Sequence, residues 1–201
     1  DHDPPPDTSY IGCEYQNIMW VASGRELYYS KPDDGTGVPL EYFSDLRKFV
    51  LPQKITALIY TPDFGRLLIF CPVGHGIWQI TGRSEDTFEL DLFKDTDGTD
   101  FPSSVSGNKQ HVCYWGEEGP SLITPSGIVE TFAEDIKEMI REYALAEYSN
   151  VYICSQWSPQ WRAFLWSFSG TDTTTSQWED TVTSLTVEWQ DTVTGAIVAW
   201  A

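Results

Sequence analysis

One loop of the sequence has the carboxylate spacing of a cation site. Asp95, Asp97 and Asp100 fall within the six residues DTDGTD, and carboxylate oxygens are ligands that Ca²⁺ prefers in proteins. The loop departs from the EF-hand, because glycine stands at its fourth position instead of its sixth and Ser106 occupies the place of the bidentate glutamate. Aspartate and glycine also favour turns for geometric reasons alone. The sequence therefore predicts a turn here and leaves cation binding by the three aspartates open.

Catalytic chemistry has little support in the sequence. The histidines are far apart along the chain, and His75 lies between two glycines, which predicts a turn residue. No Gly-x-Ser-x-Gly segment places a serine nucleophile on a sharp turn. Paired carboxylates could support glycoside hydrolysis, but among 30 acidic residues such pairs are inevitable. We expect no catalytic residue, no cofactor and no metal ligand, and a propeller glycoside hydrolase is the enzymatic alternative.

A group of tryptophans, Trp157, Trp161, Trp166 and Trp178, is the most unusual local feature. Exposed tryptophans can stack on sugar rings, whereas tryptophans at alternating strand positions pack into a core or a subunit interface. We expect core and interface packing. The interface candidates are Tyr42, Trp157, Trp161 and Trp166. A receptor- or glycan-binding β module with a tryptophan-rich face is the alternative.

The chain is strongly acidic, with a formal net charge of −18 and only 12 lysine and arginine residues. Because nucleic-acid binding requires basic side chains to neutralise phosphates, we exclude sequence readout of nucleic acids, and binding to anionic membranes for the same reason. A negative surface could still serve near DNA, because it repels a strand that has to slide past it. The apolar runs are too short to cross a membrane.

The cysteines and the two chain ends lead to two further expectations. Cys13, Cys71, Cys113 and Cys154 form no Cys-x-x-Cys pair, so in a chain of 201 residues without a secretory signal we expect buried free thiols. The sequence begins without Met, and its last residues, 196–201, are strand-like. We therefore expect a fragment of a longer polypeptide.

Short strand-like runs separated by turn residues dominate the sequence. The predicted strands cover residues 18–22, 26–30, 54–60, 66–71, 76–81, 87–92, 110–115, 121–124, 151–155, 160–168, 184–190 and 195–200. Such spacing favours a sandwich, a barrel or the blades of a propeller. Similar apolar runs recur about every 45 to 50 residues, as the inner strands of propeller blades would.

Two other segments interrupt the strand pattern. Pro4-Pro5-Pro6 predicts an extended linker arm over residues 1–9, followed by a β-rich domain over residues 10–201. The segment Thr131-Phe132-Ala133-Glu134 has capping-box form and begins a run of apolar residues at helical spacing. The predicted fold class is therefore mainly β, propeller-like or multi-sheet, with one amphipathic helix over about 131–146.

Several of these segments together resemble the propeller proteins of phage virions. The matching segments are YQNIMWVA (15–22), LYYSKP (27–32), EYF (41–43), ITAL (55–58), RLLIF (66–70), IWQITG (77–82) and Gly107-Asn108 ahead of the strand at 112–115. Over residues 15–168 the chain is similar to the nozzle, tail-tube or packaged-DNA-stabilisation proteins at the head–tail exit of short-tailed bacteriophages. Members of that family are considerably longer than this chain, and the region after residue 170 matches nothing in it.

The resemblance implies a structural role in the tail of a virion, without catalysis. Copies of the chain would form a ring through heterologous contacts that close by rotation, beside neighbouring tail, portal and adaptor proteins. Assembly would take place in the cytoplasm of the bacterial host, and no membrane would be involved. Genomic DNA would pass through the channel without specific binding, because an acidic lumen repels it.

Overall fold

The computed structural model describes residues 4–32, 42–131, 148–172, 177–179, 186–188 and 193–200. Within these ranges the chain is mainly β-strand, and its strands pair antiparallel into small sheets. Short 3₁₀ turns lie at Pro62–Phe64, Glu85–Thr87 and Pro102–Ser104. The prediction of a mainly β fold is confirmed.

The first sheet is an antiparallel meander whose spatial order follows the chain. Its strands are β1 (Ile11–Tyr15), β2 (Ile18–Ser23), β3 (Glu26–Ser30) and β4 (Phe43–Val50). Gln16 and Asn17 join β1 to β2 with φ angles of 56° and 57°. Two consecutive left-handed residues give a two-residue turn whose twist matches that of the flanking strands.

The second and third sheets repeat this plan. The second contains β5 (Ala57–Tyr60), β6 (Leu67–Phe70), β7 (Ile77–Thr81) and β8 (Glu89–Lys94). The third contains β9 (Ser106–Gly107), β10 (Val112–Gly116), β11 (Gly119–Ile123) and β12 (Val129–Thr131). In both, each strand pairs with the next one along the chain.

The remaining strands form two further sheets, one of three long strands and one of two short strands. A three-stranded sheet has the order β13 (Tyr148–Ser158), β14 (Ala163–Asp172), β17 (Val193–Trp200), and β15 (Gln177–Glu179) pairs with β16 (Thr186–Glu188). All the runs predicted as strands overlap an observed strand. The predictions omitted β1, β4, β9, β12 and β15, which are all edge strands of their sheets.

The second sheet is buried on both faces, and its β6 strand shows this most clearly. Leu67 and Ile69 belong to a first core shared with the first sheet, where Trp20 packs edge-on against Phe88. Leu68 and Phe70 point the other way, into a second core shared with the third sheet. Because side chains alternate between the faces of a strand, a strand buried on both faces has to be apolar throughout.

Buried tyrosine hydroxyls tie neighbouring sheets together. The Tyr15 hydroxyl, in the first core, donates to the carbonyl oxygens of Gly65 at 3.1 Å and Gly82 at 2.7 Å, in two turns of the second sheet. The Tyr114 hydroxyl of β10 donates to the Asp97 carboxylate at 2.5 Å, in the connection that follows β8. Each bond satisfies groups that would otherwise be buried without a partner.

The first strands of successive sheets lie beside one another. β1 contacts β5, β5 contacts β9, and β9 contacts β13. At the last of these junctions the Ser106 and Ser155 hydroxyls are 2.6 Å apart, and Ser155 donates to the carbonyl oxygen of Ser104 at 2.6 Å. Gly107 of β9 permits the approach to β5, because a Cβ on it would lie 2.8 Å from the Thr61 methyl group.

Three predictions about the fold are not confirmed by the structure. The helix predicted over about 131–146 falls outside the described residues except for Thr131, which ends β12, so the structure does not support it. Within the described ranges the strands close neither a barrel nor a propeller. The division into a linker arm over residues 1–9 and a domain over 10–201 stays a prediction.

Truncating a side chain between the second and third sheets should destabilise the whole fold. Leu68 is 1% exposed in the second core, so we expect Leu68→Ala to lower the free energy of unfolding by about 2–5 kcal/mol through lost burial and the cavity it leaves. The measurement is urea unfolding followed by circular dichroism. Leu46→Ala is the matched control, because Leu46 is 92% exposed. Equal losses in the two variants would contradict the two-faced packing of β6.

Candidate functional site

The aspartate-rich loop acts as a structural connector. Asp95 accepts the Thr96 amide at 2.9 Å, and Asp97 accepts both the Gly98 amide at 2.9 Å and the Tyr114 hydroxyl. Burial, followed by the nearby Asp97 carboxylate, raises the pKa of Tyr114 well above its ordinary value, so this hydroxyl remains a donor. The loop carboxylates are therefore engaged by protein donors.

Metal binding at this loop gains no support from its geometry. Among the described residues, no group of three or more His, Cys, Asp and Glu side chains is arranged to hold a metal ion. Asp100 and Asp97 accept hydrogen bonds from different groups: the Asp100 carboxylate accepts the Val73 amide at 3.4 Å. The turn that the sequence predicts is present, and its tightness depends on Gly98, where a Cβ would lie 2.5 Å from the Cys71 carbonyl oxygen.

The histidines lie in separate places. His75 is exposed in the bend that precedes β7, which confirms its prediction as a turn residue. His111 is half-buried just before β10, and its Nδ1 atom is buried with no hydrogen-bond partner among the described residues. His2 lies outside the described residues.

The predicted interface residues occupy different environments. Tyr42 is half-buried before β4, and its carbonyl accepts the Lys31 amide at 2.9 Å. Trp166 is only 2% exposed and packs edge-on against Trp115 at 5.7 Å, between the third sheet and β14. Trp161 is 52% exposed in the turn between β13 and β14, and Trp157 is half-buried on β13. The interface role of these side chains stays a prediction; the Trp178 side chain lies outside the described part of the chain.

One of these tryptophans lines an open cleft of about 570 Å³, which we call the Trp157 cleft. The turn between β9 and β10 supplies one wall, the turn between β13 and β14 supplies another, and the 3₁₀ turn of the second sheet adds a side chain. The lining includes Asp63, Asn108, Lys109, His111, Trp157 and Arg162. The cleft is thus built from three turns that the stacking of the sheets brings together.

Local hydrogen bonds hold the first wall of the Trp157 cleft. The Asn108 side-chain oxygen accepts the amides of Gln110 and His111, both at 2.7 Å, and the Asn108 amide donates to the His111 carbonyl at 2.9 Å. This arrangement is the turn that asparagine favours when its side chain replaces a backbone acceptor. It leaves Lys109 and Gln110 exposed at the rim.

The second wall combines an aromatic platform with a left-handed turn residue. The Trp157 ring packs against Phe164 with centroids 5.0 Å apart and planes inclined at 60°. Arg162 has a φ of 51°, in the left-handed region that glycine occupies more readily than arginine. Gln16, Asn17 and Thr96 adopt the same region in their turns, so this conformation belongs to the geometry of the hairpin loop.

The charge in the Trp157 cleft differs from that of the chain as a whole. Lys109 and Arg162 supply two basic side chains against one carboxylate, Asp63, among the residues that line it. The chain carries 12 lysine and arginine residues against 30 acidic ones. The described lining of the cleft is therefore a local basic patch in an acidic molecule, and it includes a single carboxylate where a glycoside hydrolase would place a pair.

The cysteines are all unpaired, as predicted, but their burial varies. Cys71 and Cys113 are buried, Cys13 is half-buried and Cys154 is exposed on β13. Burial raises the pKa of both Cys13 and Cys71 to about 11, which leaves these thiols protonated and unreactive near neutral pH. The prediction of buried thiols is therefore wrong for Cys154, which lies on the same exposed face of β13 as Tyr152 and Gln156.

Comparison of the sequence with protein families and with curated proteins identifies no relative. No protein-family model matches the chain, and no curated protein is significantly similar to it. Within the described ranges, no helix has the length and the apolar character needed to span a membrane.

The aspartate-rich loop should respond to mutation as a structural element and not as a cation site. We expect Asp97→Ala to lower the free energy of unfolding by about 1–3 kcal/mol, because it removes the acceptor of the Tyr114 hydroxyl. Asp95→Ala, which removes an exposed local bond, is the control and should have a smaller effect. Thermal unfolding should be the same with millimolar Ca²⁺ and with a chelator. A Ca²⁺-dependent rise in Tm that both variants abolish would contradict this interpretation.

Proposed function

We propose that this chain is part of a structural protein of a bacteriophage tail, of the nozzle or head–tail exit type, that forms a ring around the DNA channel. The observation that carries the proposal is the succession of meander sheets whose first strands lie side by side. It is supported by the resemblance over residues 15–168. The role is mechanical, with copies of the chain and neighbouring tail, portal and adaptor proteins as partners.

The arrangement of the sheets has the features of propeller blades. A blade is a four-stranded antiparallel meander whose first strand lies nearest the axis, and successive blades pack face to face. Three consecutive four-stranded meanders occur here, and the contacts β1–β5, β5–β9 and β9–β13 run from one first strand to the next. We infer a propeller-like arrangement of these sheets.

Exposed apolar side chains on outer strands suit contacts between copies. Leu46 and Val50 of β4 and Leu92 of β8 are among the large apolar residues that the described structure leaves exposed. β4 and β8 are the last strands of their sheets, opposite the first strands that adjoin one another. Ring assembly would bury this apolar surface in heterologous contacts.

The acidic composition is consistent with a channel through which DNA moves. A net charge of −18 gives no basis for tight contacts to a phosphate backbone, since such contacts depend on lysine and arginine. Like-charge repulsion would instead keep DNA from adhering to the wall. This requires that a large share of the aspartates and glutamates face the lumen.

Single-particle imaging of the purified native assembly tests the proposal. We expect a closed ring coaxial with a capsid vertex or tail, with acidic side chains in its lumen. Leu46→Ser should weaken the ring, because it removes an exposed apolar contact, whereas Asp45→Ser on the same strand is the control and should leave the ring intact. A free monomer at all concentrations, or a ring with its acidic residues outside, would contradict the proposal.

A further inference from the structure

We propose that the Trp157 cleft is a binding site for a carboxylated sugar residue of a saccharide. This inference is independent of the proposed assembly role. It depends on the chemistry of one site, in which an aromatic ring, two basic side chains and two carboxamides line the same open cleft.

The aromatic ring favours a saccharide over a purely polar ligand. Trp157 is half-buried and packs on Phe164, so its orientation is held while part of its ring lines the cleft. The apolar C–H face of a pyranose can stack on such a ring, while the hydroxyl groups at the edge of the sugar require hydrogen-bond partners. A fixed aromatic side chain loses little entropy on binding, which suits a contact platform.

Polar side chains around the ring match the hydroxyl groups of a sugar. The Asn108 oxygen is already occupied by two backbone amides, so this side chain has its amide N–H groups to offer. Gln110 is exposed at the rim and can both donate and accept. The volume of about 570 Å³ lies in the range of small-ligand sites and can accommodate one or two sugar rings.

The charge of the lining selects for an anionic sugar. Arg162 can bind a carboxylate through two parallel N–H donors, and Lys109 adds a second positive charge at the rim. Asp63, the carboxylate in the lining, would bind a sugar hydroxyl as an acceptor.

A single-stranded nucleic acid is the competing ligand, because bases also stack on tryptophan and phosphates bind arginine. The observations favour the sugar. A polyanion carries a charge on every phosphate and would be repelled at long range by a chain of net charge −18, whereas one sugar carboxylate interacts mainly with the cleft.

Titration calorimetry on the full chain tests the proposal with three carboxylated saccharides: digalacturonate, an alginate disaccharide and sialyllactose. Neutral galactobiose and lactose serve as ligand controls, and an eight-residue oligothymidylate represents nucleic acid. We expect at least one carboxylated saccharide to bind about tenfold more tightly than the neutral controls, and more weakly at high salt.

Two variants of the site and one control variant complete the test. Arg162→Gly removes the charge while supplying the residue that best tolerates a φ of 51°, so the fold should be retained and the affinity should fall about tenfold or more. Trp157→Ala should abolish binding. Trp161→Ala, in the same turn and 52% exposed, should leave the affinity unchanged.

Three outcomes would overturn the proposal. One is no binding of any of the three carboxylated saccharides. Another is equal binding of the neutral controls, or affinity that Arg162→Gly leaves unchanged. The third is binding of the oligothymidylate that competes with the saccharide and is tighter, which would assign the Trp157 cleft to nucleic acid.

Discussion

The burial of single strands on both faces is the constraint on which the rest of this structure depends. β6 sends Leu67 and Ile69 into one core and Leu68 and Phe70 into the next, so neither core can form without the second sheet. The same alternation recurs in β10, whose Tyr114 faces the second sheet and whose Trp115 packs against Trp166 of β14. A meander of this kind on its own would leave an apolar face exposed to water, and burial against the next sheet removes that face from water. Stability in this chain is therefore a property of the series of sheets.

This packing also decides where a functional site can lie. The faces that adjoin neighbouring sheets are buried and apolar, so the polar groups at these junctions lie in turns and at edges. Two such places differ in character. In the aspartate-rich loop, the Asp97 carboxylate accepts hydrogen bonds from the Tyr114 hydroxyl and the Gly98 amide. The bond to Tyr114 joins the second sheet to the third. The Trp157 cleft, in contrast, combines an aromatic ring with Lys109 and Arg162 at turns that come together only when the sheets are stacked.

Every inner strand was predicted from the sequence, and every strand that was missed is an edge strand, for a physical reason. Strands such as β6 and β10 are continuous apolar runs, whereas β4 and β12 expose much of their length and carry no clear apolar period. Turn chemistry predicted the bend at His75, and the alternating acids predicted a turn but not the bond from Asp97 to Tyr114. The Trp157 cleft could not be predicted, because its residues come from separate stretches of sequence; the left-handed φ of Arg162 leaves no mark in the sequence.

Native-state hydrogen exchange tests the interdependence of the sheets most directly. If both-face burial holds the series together, the amides of β2, β6 and β10 should exchange only through one global unfolding step, with a common free energy of opening that Leu68→Ala lowers equally in all three strands. The amides of edge strands such as β12 should exchange with a lower free energy of opening. The account would be contradicted if the first, second and third sheets opened separately, each with its own free energy, and Leu68→Ala affected β6 alone.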